Sequence, residues 1–182
     1  MKMNLPNKLT ILRVCMIPFF VFFLLYQEIQ YNNYIALVLF CLACITDALD
    51  GYLARKNNLI SNFGKFMDPL ADKLLVCAAL ICFVELKLLS AWIVIIIISR
   101  EFIISGFRLI ASDNGVVIAA SIWGKFKTIA QMFMSILLIA NFNNDLFNIL
   151  EVVFIYLSLI LTVISLVDYL IKNWKVLNEG GK

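Results

Sequence analysis

The sequence predicts an all-α integral membrane protein, a bundle of six transmembrane helices with both termini in the cytoplasm, and three observations carry that expectation. Of 182 residues, 63% are hydrophobic, and the mean hydropathy of +0.97 exceeds that of a soluble domain with an ordinary polar surface. The apolar runs are long and continuous rather than alternating. Backbone groups in lipid must pair within their own segment, so helices are expected and an outer-membrane barrel is not. Finally, the cations fall almost all on one side of those runs.

A helix needs about 20 apolar residues to cross roughly 30 Å of hydrocarbon, so the chain has length for six spans and no room for a soluble domain. Residues 1–182 therefore read as one domain. Spans are expected near 9–26, 33–54, 69–89, 91–111, 122–141 and 147–171. The first is preceded by Lys2 and Lys8, as in a signal peptide, but no small-residue cleavage site follows, so it reads as a retained span. Asn7, after Pro6, is placed to cap it. The third span is expected to open at Pro69, because proline is tolerated in a first turn; a start nearer Asn62 would put Pro69 inside the helix and kink it. Trp92, Trp123 and Trp174 flank the later spans, where an indole anchors at the interface. Asn178 to Lys182 read as a frayed tail.

The turns Tyr26–Asn33, Glu85–Ser90 and Asn141–Asn148 are short, polar and nearly free of Lys and Arg. Lys87 is the one cation on that side. Lys2, Lys8, Arg13, Arg55, Lys56, Lys65, Lys73, Arg100, Arg108, Lys125, Lys127, Lys172, Lys175 and Lys182 lie on the other, which the positive-inside rule makes cytoplasmic.

Five cysteines lie in or beside apolar runs, where a thiol acts as a small hydrophobe. Cys41 and Cys44 have CxxC spacing, but without a second pair or any histidine a zinc site is not expected. The lack of histidine also removes the usual base near neutral pH, which leaves carboxylates, lysines and tyrosines for proton transfer.

Four aspartates, Asp47, Asp50, Asp68 and Asp72, stand at the cytoplasmic ends of two very apolar helices. Either they lie beyond the lipid boundary and are hydrated, with Arg55, Lys65 and Lys73 as surface partners, or they share a compensating cation. An aspartate at mid-helix costs about 2.5–3.5 kcal/mol on insertion scales, so the placement calls for a reason. Asp47 and Asp50 are three apart and Asp68 and Asp72 four apart, so each pair occupies one helical face. Two such helices packed face to face would converge four carboxylates. An all-oxygen set of that charge suits two divalent ions, Mg²⁺ or Mn²⁺, an arrangement known for phosphoryl transfer. Gly51 and Ala54 would let a nucleotide approach closely, and Arg55 offers a planar fork for phosphate; equally, Gly51 and Gly64 could be helix-end residues and Arg55 a topology marker.

The run Asp47-Ala48-Leu49-Asp50-Gly51-Tyr52-Leu53-Ala54-Arg55, followed after eight residues by Gly64, then Asp68 and Asp72, resembles the signature of the CDP-alcohol phosphatidyltransferases at all eight of its fixed positions, within 47–72. Pro6-Asn7-Lys8-Leu9-Thr10-Ile11-Leu12-Arg13 is similar to the start of the bacterial phosphatidylglycerophosphate synthases in that family. So are Arg100-Glu101-Phe102, Ser105-Gly106-Phe107-Arg108 and Gly124-Lys125-Phe126-Lys127-Thr128, although Phe107 stands where leucine is the more frequent residue. The outer loops and last helix add little.

The resemblance implies transfer of a phosphatidyl group from CDP-diacylglycerol to glycerol 3-phosphate in a bacterial cytoplasmic membrane, with release of CMP, by a homodimer whose active site faces the cytoplasm. It implies that Asp47 and Asp68 bridge two metals, that Asp50 completes one site, and that Asp72 completes the other and serves as proton acceptor. It further implies that Asn7, Thr10, Arg13, Gly51, Arg55 and Ser61 hold CDP-diacylglycerol. Arg100, Arg108, Lys125 and Lys127 gather cytoplasmic charge for the acceptor's phosphate; the alternative is that they fix topology or attract anionic headgroups. The lipid bilayer is an expected partner and nucleic acid is not. Two rival readings remain at this point: the same chemistry with inositol phosphate, serine or phosphatidylglycerol as acceptor, and a small divalent-cation transporter.

Overall fold

The computed structural model describes residues 5–26, 28–56, 62–113, 121–142 and 144–174, with the backbone alone at 5, 6, 48–56, 62–69, 72, 110, 112 and 113. The described residues form six helices in order: α1 Leu5–Leu25, α2 Asn32–Lys56, α3 Asn62–Glu85, α4 Ala91–Asp113, α5 Ile122–Ala140 and α6 Asp145–Lys172. Among the described residues, three segments are long and apolar enough to cross a membrane: Asn7–Leu25, Ile122–Ala140 and Asp145–Lys172. A shorter apolar stretch, Asn32–Asp47, opens α2. In α4, Arg100, Glu101 and Arg108 interrupt an otherwise apolar run. Large apolar side chains such as Phe19, Phe22, Ile95, Leu109 and Ile160 are exposed on the helices, a distribution suited to lipid rather than water.

Two boundaries depart from sequence expectation. Helix α3 begins at Asn62, not at Pro69, so Pro69 lies inside it and Gly64 in its first turn. A proline is tolerated within a membrane helix when neighbouring elements satisfy the carbonyl it strands. Asn7 does not cap α1, because the helix already runs from Leu5; its side chain is buried instead.

The chain divides into two compact units, residues 1–88 with 139–141, and residues 89–138 with 142–182. In the first, α1 packs on α2 and α3, and α2 touches α3. Asn7, Thr10, Arg13, Ile17, Phe20 and Leu24 recur at three- and four-residue steps, so one buried stripe of α1 is polar in its first half and apolar in its second. Phe20 meets Phe40 at 5.7 Å between ring centroids. Ala36, Ala43, Ala71 and Ala79 let the helix backbones come close, which matters where lipid supplies no hydrophobic drive to associate.

The second unit packs α4 on α6. Ser158, Thr162, Ser165 and Tyr169 form the buried face of α6, a stripe of mostly small hydroxyl residues suited to close helix contact. Phe133 of α5 lies 5.7 Å from Phe154 of α6, ring to ring. Asn144 caps α6 by accepting from the Leu146 N–H at 3.1 Å.

Tyr31, Lys87 and Asn141 have positive φ, one in each of the three short turns. At the end of α3, Lys87 N–H donates to Val84 at 3.0 Å and Leu88 N–H to Phe83 at 2.9 Å. That pair of bonds closes a helix around a left-handed residue, usually glycine. A lysine there sits against the negative end of the helix dipole, which gives a local reason for this cation. None of the five cysteines, all among the described residues, is in a disulfide.

Candidate active site

The first unit holds the amino-terminal half of the expected site. Arg13 is fully buried at 0% exposure, and its Nη1 pairs with Asp47 Oδ1 at 2.7 Å. The α1 stripe produces this: Thr10 and Asn7, one and two turns earlier, are buried on the same face, so α1 buries three polar side chains on the face from which Arg13 meets Asp47. The Asp47 side chain is 41% exposed, and Arg13 engages one of its oxygens in this pair. A carboxylate held on one oxygen and open to solvent is aimed but not used up, which suits a metal ligand. Just before it, the Thr46 hydroxyl donates to the Ala43 carbonyl at 2.8 Å.

Asp50 lies on α2, and Asp68 and Asp72 on α3, at the spacings that give each pair one helical face, and the two helices touch. Their side chains lie outside the described residues, as do those of Gly51 and Arg55, and Ser61 lies outside them altogether. Carboxylates without imidazole are the donor type that hard divalent ions take, and of the four the structure describes the side chain of Asp47, which is accessible.

The second unit divides the four expected acceptor cations between two environments. Arg100 and Lys127 are buried, at 8% and 2% exposure, and meet on the Glu101 carboxylate. Arg100 Nη1 reaches Glu101 Oε1 at 2.8 Å, and Lys127 Nζ donates to the same oxygen. On its other edge, Arg100 Nε donates to Ser165 Oγ at 3.0 Å, and that hydroxyl donates to the Thr162 carbonyl at 2.9 Å. A Cβ on Gly124 would stand 3.2 Å from Arg100 Nη2, so glycine leaves the guanidinium its room. By contrast Arg108 and Lys125 are exposed. The Arg108 guanidinium lies 5.9 Å from the centre of the Tyr169 ring, which also takes an edge contact from Phe107. Arg100 and Arg108 are eight residues apart, about 12 Å along α4. The start of α5 is tied to α6 where Ser121 donates to Asp168, which also pairs with Lys172 at 2.6 Å.

Ser165 was passed over by sequence reasoning, and Glu101 was named within a motif but given no role. An acidic residue next to an arginine within an apolar helix was the available signal for Glu101. Nothing in the sequence links Ser165 to Arg100, 65 residues away.

The first unit thus carries an acidic pair on each of two touching helices with a buried arginine on one aspartate, and the second a buried cation pair on a shared carboxylate. The family model for CDP-alcohol phosphatidyltransferase matches residues 3–164, and the chain belongs to that family. A relative from Bacillus subtilis (strain 168), named CDP-diacylglycerol--glycerol-3-phosphate 3-phosphatidyltransferase, is 43% identical over 191 aligned positions, covering 98% of this chain and 99% of its own. One of the same name from Haemophilus influenzae is 45% identical over 175 positions and 93% of each chain. A Mycobacterium tuberculosis protein named as a probable phosphatidylglycerophosphate synthase is 39% identical over 168 positions, 91% of this chain and 79% of its own. Family membership makes the chain a transferase and leaves the cation-transporter reading without support.

Proposed function

We propose that this protein transfers the phosphatidyl group of CDP-diacylglycerol to glycerol 3-phosphate, giving phosphatidylglycerophosphate and CMP. The observation that carries the reading is similarity over nearly the whole chain to relatives named for that reaction, at 43% and 45% identity. Asp47, Asp50, Asp68 and Asp72 would hold two divalent ions, Mg²⁺ or Mn²⁺. When bound, such ions polarise the diphosphate and offset the charge of the departing CMP.

The remaining work falls to side chains. Asp72 takes the proton of the acceptor hydroxyl as its oxygen attacks the phosphorus next to diacylglycerol, and the bond to CMP breaks with its electron pair leaving on CMP. Asn7, Thr10, Arg13, Gly51, Arg55 and Ser61 bind the cytidine diphosphate. The pair of Arg13 with Asp47 supports a second task for Arg13, that of aiming a metal ligand. Arg100, Arg108, Lys125 and Lys127 hold the acceptor's phosphate, with the buried Arg100 and Lys127 as the fixed members.

The same reading has six membrane spans, both termini in the cytoplasm and the site facing the cytoplasm from a bacterial inner membrane. It is supported by six helices, by the one-sided distribution of cations and by bacterial relatives. Homodimerisation is proposed on family resemblance. The test is CMP release by purified protein from CDP-diacylglycerol with glycerol 3-phosphate, inositol phosphate, serine or phosphatidylglycerol, with and without Mg²⁺. Release with glycerol 3-phosphate alone is expected. Preference for another alcohol would overturn the acceptor assignment.

A further inference from the structure

We propose that Glu101 is a positioning residue for the acceptor site, holding Arg100 and Lys127 side by side so that both donate to one phosphate; the inference rests on the acceptor reading above. Neighbouring residues on a helix point about 100° apart and do not ordinarily meet. Here the Arg100 side chain nevertheless turns back onto the adjacent Glu101 at 2.8 Å, while Lys127 arrives from α5 at the same Oε1. The two nitrogens are therefore no farther apart than those two contacts laid end to end, about 5.3 Å. Two cations that close repel each other in a buried place, and a shared carboxylate oxygen is what lets them stay.

The arrangement holds Arg100 in place without exhausting it. A guanidinium has five N–H donors, and among the described residues the Ser165 and Glu101 contacts engage two. Ser165 is itself fixed by its bond to the Thr162 carbonyl, so it holds Arg100 Nε from a set direction. Gly124 completes the seat, since any side chain there would press on Nη2. Glu101 itself keeps 19% of its side chain exposed, so this residue lies at the edge of the buried cluster. An incoming phosphate thus meets two cations whose spacing is set before it arrives, which lowers the ordering cost of binding.

The test compares wild type, Glu101→Gln, Glu101→Asp and Gly124→Ala in steady-state assays that vary each substrate separately. Loss of the bridging charge in E101Q is expected to raise the KM for glycerol 3-phosphate about tenfold or more, the worth of one charge-assisted contact. The kcat and the KM for CDP-diacylglycerol should stay within about threefold. E101D keeps the charge one methylene back and should fall between. A glycerol 3-phosphate KM within about twofold of wild type in E101Q, or equal rises for both substrates, overturns the inference while leaving the acceptor assignment intact. Wild-type protein that releases no CMP with glycerol 3-phosphate sinks both. Should E101Q fail to accumulate in membranes, G124A carries the test: it disturbs Arg100 without removing charge and is expected to raise the same KM about threefold, and an unchanged KM counts against the proposal.

Discussion

Arg100 and Arg108 occupy the same helix and carry the same charge, yet replacing each with glutamine should have unequal consequences for stability. Arg100 is 8% exposed and bonded to both Ser165 and Glu101. Removing one partner of a buried ion pair costs about 3–5 kcal/mol. Lys127 remains to neutralise Glu101, whose side chain keeps some solvent, so the loss expected for Arg100→Gln is about 2–3 kcal/mol. Arg108 is exposed and contributes a contact with the Tyr169 ring at 5.9 Å, worth about 0.5–1 kcal/mol. At about 2–4 °C per kcal/mol for a domain of this size, melting should fall by about 4–12 °C in R100Q and about 1–4 °C in R108Q. Thermal unfolding of both variants in one detergent, followed by circular dichroism without substrate or metal, reads the difference. R100Q melting no lower than R108Q would refute the claim that Arg100 is a buried structural cation as well as a ligand.

Three further outcomes follow from the same geometry. Asp72→Asn should abolish turnover and largely spare CDP-diacylglycerol binding; substantial CMP release by that variant would remove Asp72 from the proton-acceptor role. A double-mutant cycle of Arg13→Gln and Asp47→Asn, read by melting in metal-free buffer, should give a coupling of about 1 kcal/mol, kept small by the exposure of Asp47. Zero coupling would mean that their 2.7 Å contact aims nothing. Chelation with EDTA should abolish CMP release, with recovery on adding Mg²⁺ or Mn²⁺, and persistent turnover would exclude the metal role assigned to the aspartates.

The six helices were legible as apolar runs, and three of them, among the described residues, meet the requirement of about 20 apolar residues per crossing. The start of α3 was not, because Asn62 to Pro69 is polar and carries glycine and proline, a pattern that reads as a turn in isolation. Asn7 was misplaced for a related reason: a capping residue and a buried polar residue are the same letters, and burial is what separates them. At the site, the aspartate spacing and Arg13 were readable one element at a time. The Arg13 contact with Asp47 and the joining of Arg100, Lys127, Glu101 and Ser165 depend on which helix faces bury together. Charge counting set all four acceptor cations in one group, whereas packing buries Arg100 and Lys127 and leaves Arg108 and Lys125 outside.

The lone lysine at the end of α3 has a meaning for how the chain is threaded through its membrane. Lys87 sits with φ 59° at the position that closes the helix, against carbonyls carrying partial negative charge. Its placement has a local structural reason that needs no part in topology. Reporter fusions at either terminus should therefore give an unchanged orientation after Lys87→Gln, and an inverted orientation would show that this cation had been read by the insertion machinery after all.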